Sequence, residues 1–216
     1  MFEIIRSMSE SDRNTDFVAI GNLINENFES THCSFIIQFE KEIFLFHYTG
    51  YSVEYCKNSE SNYYHRITDT ISSEEVPAFI AHCRNINKHA NPTYGFFYSG
   101  EYYDKSGVHF GSQDLSERMT CVGFCLNVLK GFLEDEYICY SDWSEDTHND
   151  PGYLERYCTK NNIDINTIKS SHRRISPREC LTSCFFTKLP ITKEQIDSKI
   201  MVVNNFFHNL FLSQNN

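Results

Sequence analysis

Positive charge is scarce in this chain. There are 19 Lys and Arg against 29 Asp and Glu, giving a net charge of −10 and a pI near 5.3. Such a surface repels phosphate backbones and anionic lipid, which argues against nucleic acid or an acidic membrane as partner. The one basic cluster, His172-Arg173-Arg174 with Arg178, is short and reads as a solvated turn. Long apolar runs are missing too: none approaches the roughly 20 residues of a membrane span. Residues Met1 to Arg13 carry Glu3, Glu10 and Asp12 and lack the basic start and apolar centre of a signal peptide. The expected location is therefore cytoplasmic, with export by a signal-independent route left open. No P-loop, dinucleotide fingerprint or serine nucleophile elbow is present, and no repeat or low-complexity tract.

What is present is an ordinary globular composition, 40% apolar and 22% charged over 216 residues. That length suits one domain spanning 1–216 and buries a core without staples. Cysteine is plentiful: nine, an odd number, which with no signal peptide points to reduced thiols and not a disulfide framework. Cys121/Cys125 and Cys180/Cys184 are two C-x3-C pairs. Their helical, apolar settings favour core packing over a zinc site, with Cys125 the core-facing member of its pair. The acids from Glu134 to Asp150 lack the alternation and glycine of a calcium loop. No metal and no cofactor is expected.

Residues 15–28 read as a helical or mixed lead-in. Cys33 to Phe39 and Ile43 to Tyr48 are apolar, β-branched runs about a polar turn, Glu40-Lys41-Glu42, which makes a hairpin. Tyr51 to Tyr55 alternates like a third strand. Ser72 with Glu74 and Glu75 caps a helix reaching about Asn87, with Val76, Phe79, Ile80 and Cys83 inward. Tyr94 to Tyr98 reads as an aromatic strand, 100–113 as loop, and Ser116-Glu117 as the start of the helix carrying Cys121. A short strand at Tyr137 to Tyr140, an acidic loop around Trp143, a helix from Ser176-Pro177 and a last helix from Ile191 to Leu212 complete the chain. Strands first and helices later mean α+β, an antiparallel sheet packed against helices.

A cysteine nucleophile needs its thiolate, and a helix N-terminus favours it. A histidine takes the proton and returns it to the leaving group, and a third polar group fixes the imidazole. Cys121 follows a glycine-containing loop and opens an apolar helix, with Gly123 allowing close approach. His32 heads the first hairpin strand and His47 ends the second. Numbers 32 and 47 are symmetric about 39.5, close to the polar turn, so the two histidines are expected side by side. The competing readings are a structural core thiol for Cys121, a strand-end surface histidine for His32 and a satisfied core histidine for His47.

Thr31-His32-Cys33-Ser34-Phe35-Ile36-Ile37, a turn, then Phe44-Leu45-Phe46-His47-Tyr48 resembles the catalytic hairpin of circularly permuted papain-like (NlpC-type) enzymes, relatives of the lecithin:retinol acyltransferases. Thr120-Cys121-Val122-Gly123-Phe124 is similar to the cysteine box of that group, and histidine before cysteine is the permuted order. Ser34 stands where the family often has glycine, the turn lacks Gly-Asp, and Cys125 adds a second thiol. The resemblance covers about 30–130, with a helical C-terminal region at about 176–212. It implies a permuted papain-like fold and a Cys-His-His triad: Cys121 nucleophile, His32 base, His47 orienting residue. The implied function is a cysteine hydrolase of peptidase or amidase type, a thiol protease in the broad sense, working through an acyl-thioenzyme on a peptide, peptidoglycan-like or acyl-amide substrate. The acidic surface leans towards neutral or cationic substrates. An acyltransferase of the same group, or a non-catalytic acidic binding or immunity-like module, is the alternative.

Overall fold

The computed structural model describes residues 4–6, 15–57, 62–95, 101–111, 117–144, 152–166 and 173–214. It is an α+β structure. Six antiparallel strands form the main sheet in the order β1-β6-β2-β3-β4-β5. They are β1 (Ile5–Arg6), β2 (Phe17–Ile24), β3 (Ser30–Phe39), β4 (Glu42–Tyr48), β5 (Val53–Lys57) and β6 (Tyr63–Ile67). The lead-in expected to be helical or mixed is thus strand β2. Phe17, Val18, Ala19 and Ile20 are all buried, and β-branched and aromatic side chains on both faces of a strand suit a central position between β3 and β6.

The β3–β4 hairpin forms as expected but with a tighter turn. Phe39 pairs with Glu42, so only Glu40 and Lys41 lie in the loop, at φ 50° and 67°. Two left-handed residues are what a two-residue hairpin turn of matching twist demands, although Asn-Gly is the usual solution. Asp16 helps hold it, its Oδ1 accepting from the Glu40 N–H at 2.9 Å.

Helices cover one face of the sheet. They are α1 (Val76–His89), α2 (Cys121–Leu133), α4 (Pro177–Ser183) and α5 (Lys193–Gln214), with a smaller α3 (Tyr153–Asn161) apart from the main core. Strand alternation sends Cys33, Phe35 and Ile37 of β3 and Phe46 and Tyr48 of β4 into the helical layer, where Phe124 of α2 meets both Phe46 and Tyr48. Ile36 and Leu45 face the other way, in a separate cluster with Phe17, Ala19 and Tyr63.

Several expected boundaries move. The helix bearing Cys121 begins at that residue and not at Ser116, because Arg118–Met119 is strand β10, parallel to β7 (Thr93–Tyr94). The stretch 100–113, expected as loop, holds the hairpin strands β8 (Tyr102–Tyr103) and β9 (His109–Phe110). Of the expected aromatic strand, Tyr94 lies in β7 and Gly95 does not, while 96–98 lie outside the described residues. Near 137–140 there is one bridge, Ile138 to Ile191, and then a 3-10 turn at Tyr140–Asp142. The helices at 76–89, 177–183 and 193–214 lie where capping and periodicity put them. No described helix is long and apolar enough to cross a membrane.

Candidate active site

Cys121 is the first residue of α2. Thr120 caps the helix, its Oγ1 accepting from the Gly123 N–H at 3.1 Å, while the Phe124 N–H reaches the Thr120 carbonyl. The N–H groups of Cys121 and Val122 are thereby left to the thiol, and both lower its pKa. A third donor comes from the sheet: the Cys33 backbone N–H, in the peptide joining His32 to Cys33, is directed at the Cys121 sulfur. It is placed there by a splayed hairpin. The β3–β4 ladder stops at Phe35–Phe46 although β3 continues back to Ser30, so the start of α2 meets β3 where β4 has drawn away. Burial outweighs the three donors, and the thiol titrates above its ordinary value.

His32 and His47 come together across the same opening. Nε2 of His32 and Nδ1 of His47 are 2.8 Å apart, one ring donating to the other. They are not direct cross-strand partners. The tighter turn shifts the register by two residues, and diagonal neighbours of this length still touch. Burial first, then the His47 charge, lowers the His32 pKa from 6.5 to about 4, so His32 is neutral near pH 7. Glu54, opposite His47 on β5, sets a carboxylate oxygen 3.8 Å from His47 Nε2. Glu54 completes a Glu54–His47–His32 chain that the hairpin motif alone gave no reason to extend into a third strand.

The structure therefore brings His47 to His32 and brings Cys121 to the peptide beside His32. It does not form a Cys121–His32 hydrogen bond among the described residues. Alternation explains why: Cys33 points into the helical layer, so His32 turns to the opposite face with Ser34 and Ile36. The imidazole and the thiol approach from two sides of one strand end.

Cys121 also lines a cavity of about 310 Å³. Thr31, Tyr94, Thr120, Gly123, Tyr140, Arg173, Arg174 and Ile175 share its wall. The two arginines belong to the basic cluster expected to be a solvated turn. Arg174 is exposed, but Arg173 is half-buried and fixed. Its backbone N–H donates to the Tyr140 hydroxyl at 3.1 Å, and its Nε donates to the Trp143 carbonyl. Arg178 is structural: it donates to the Phe28 carbonyl at 2.6 Å and lies over the Phe207 ring.

The other thiols of the C-x3-C pairs are core. Cys125, Cys180 and Cys184 are buried, and Cys125 and Cys180 each contact Cys33. Burial pushes Cys125 up to about 11. Among the described residues no group of three or more histidines, cysteines or acids is arranged to hold a metal ion.

Compared with family models, with curated proteins and with solved structures, the chain matches none.

Proposed function

We propose that this chain is a cysteine hydrolase of peptidase or amidase type on a permuted papain-like fold, with Cys121 as nucleophile, His32 as base and His47 as the residue that orients it. One observation carries the reading: the Cys121 thiol, at a capped helix N-terminus and open to a cavity, rests against the peptide of His32, whose ring is already held by His47. With Nε2 engaged, Nδ1, which makes no hydrogen bond among the described residues, is the His32 atom left for the thiol proton, and the transfer requires ring and thiol to meet at the strand end that now separates them.

The chemistry balances as acyl transfer. The Cys121 sulfur bonds to the acyl carbon as its proton passes to His32. The bond to the leaving group breaks, and that group departs with its electron pair and the His32 proton. Water then adds to the thioester, giving one proton to His32 and releasing the acid, and the thiol is restored. The Cys121 and Val122 N–H groups are the donors for the transient oxyanion. Both reacting groups rest neutral, so the proton moves as the acyl bond forms and not beforehand.

A second reading, a non-catalytic acidic binding module on this scaffold, is favoured by the opposed faces of His32 and Cys121. The test is labelling by iodoacetamide across a pH series, with mass mapping of the modified cysteine. The raised thiol pKa predicts a Cys121 rate still climbing above the pH where an ordinary thiol levels off. Cys121→Ala removes that adduct, and a small acyl ester or anilide then yields no covalent acyl adduct. Acylation of the unaltered protein at any cysteine other than Cys121, or at none, sinks the hydrolase reading.

A further inference from the structure

The substrate-side wall of the cavity carries a charge opposite to that of the protein. In a chain of net charge −10, the charged side chains lining it among the described residues are Arg173 and Arg174. Neither guanidinium has an ion-pair partner among the described residues. Arg173 donates Nε to the Trp143 carbonyl and lies over the Tyr140 ring at 5.7 Å, which leaves its terminal nitrogens without a hydrogen bond among the described residues, and the bond from its N–H to Tyr140 fixes where they start. A guanidinium fork matches a carboxylate in geometry and charge, and two of them on the wall that also carries the Cys121 thiol make an anion seat. Resting on the hydrolase reading, we infer that the acyl donor carries a carboxylate close to the carbon that Cys121 attacks, held by Arg173 and Arg174. This departs from the expectation of neutral or cationic substrates, drawn from net charge, because short-range pairing in a cavity outweighs a screened surface field.

Two thiol reagents that differ in this charge test it: iodoacetate and iodoacetamide. Each forms an S–C bond as its C–I bond breaks, iodide leaving and the thiol proton passing to buffer. The quantity read is the iodoacetate-to-iodoacetamide rate ratio at Cys121, by mass mapping, against the same ratio at the exposed Cys56 and in the urea-unfolded chain. One or two positive charges near the reagent predict a ratio at Cys121 raised roughly tenfold over both references, shrinking as salt is added. The R173Q/R174Q variant brings the ratio down to the reference value, and R173K/R174K keeps most of it, which separates charge from misfolding. A Cys121 ratio equal to that of Cys56 in the unaltered protein overturns the inference, as does one indifferent to salt. Failure of both reagents to label Cys121 would instead remove the nucleophile itself, so the two failures are distinct.

Discussion

Lowering the pH should cost this protein stability through His32, in a window set by its shifted pKa. In the fold His32 titrates at about 4, in the unfolded chain near its ordinary 6.5. The folded pKa is the lower one, so between those values the unfolded chain binds the extra proton. The contribution of His32 is complete above about pH 6.5, falls as pH drops through the window, and stops changing below about 4. Integrating the linkage from about pH 8 to about pH 5 gives roughly 2 kcal/mol, since each pKa unit is worth about 1.4 kcal/mol. The proton would enter beside His47, and Glu54 is the acid 3.8 Å beyond it, so the loss reports one proton shared by a pair. The assay is urea unfolding at both pH values for the unaltered protein and for His32→Gln, whose amide keeps a hydrogen bond to His47 within reach. Subtracting the variant removes the titration of the carboxylates elsewhere. The expected difference in pH dependence is about 2 kcal/mol, the unaltered protein being the more acid-sensitive. Equal dependence in the two proteins would refute the burial of a neutral His32 against His47.

Two further perturbations test the elements that position the thiol. Thr120→Ala removes the acceptor for the Gly123 N–H and should cost about 1 kcal/mol in denaturant unfolding. Gly131→Ala should be far worse: a Cβ there would stand 1.7 Å from the Tyr103 carbonyl oxygen, backbone that cannot yield without lifting the β8–β9 hairpin off α2. A loss of about 3 kcal/mol or more is expected, read as a drop in melting temperature; a neutral outcome would mean that α2 and β8 do not pack as described.

The hairpin was legible because its signal is local. Two β-branched runs flanking a polar turn specify strands whatever lies elsewhere, and the helices at 76–89 and 177–183 announce themselves by Ser-x-x-Glu boxes at Ser72 and Ser176. The strand β2 was not legible, because burial on both faces erases the alternation that marks a strand. The register was missed by two residues because Glu40 and Lys41 adopt a left-handed turn that their side chains do not advertise. The cavity wall was missed for a different reason. Arg173 and Arg174 are ordinary in sequence; only the fold brings a segment fifty residues downstream against the start of α2. In an acidic chain, a basic cluster without neighbouring acids was the one available signal.

Cys121 and His32 are pulled apart in proton affinity, the thiol upward and His32 down to about 4, both by burial. That is the reverse of a preformed thiolate–imidazolium pair, which draws the thiol down and the imidazole up. On the proposed reading, the cost of separating charge falls in the transition state, where it must be offset by groups fixed in advance. Two sets are present. The Cys33 N–H faces the sulfur, and the Cys121 and Val122 N–H groups lie at the helix start. The same dry setting that makes the resting thiol inert strengthens each of these interactions once charge develops. A thiol that rests neutral resists alkylation and oxidation, since the thiolate is the reactive form. Binding of a carboxylate by Arg173 and Arg174 should accordingly change the reactivity of Cys121 more than that of the exposed Cys56, the contrast on which the hydrolase reading and the anion seat can be judged separately.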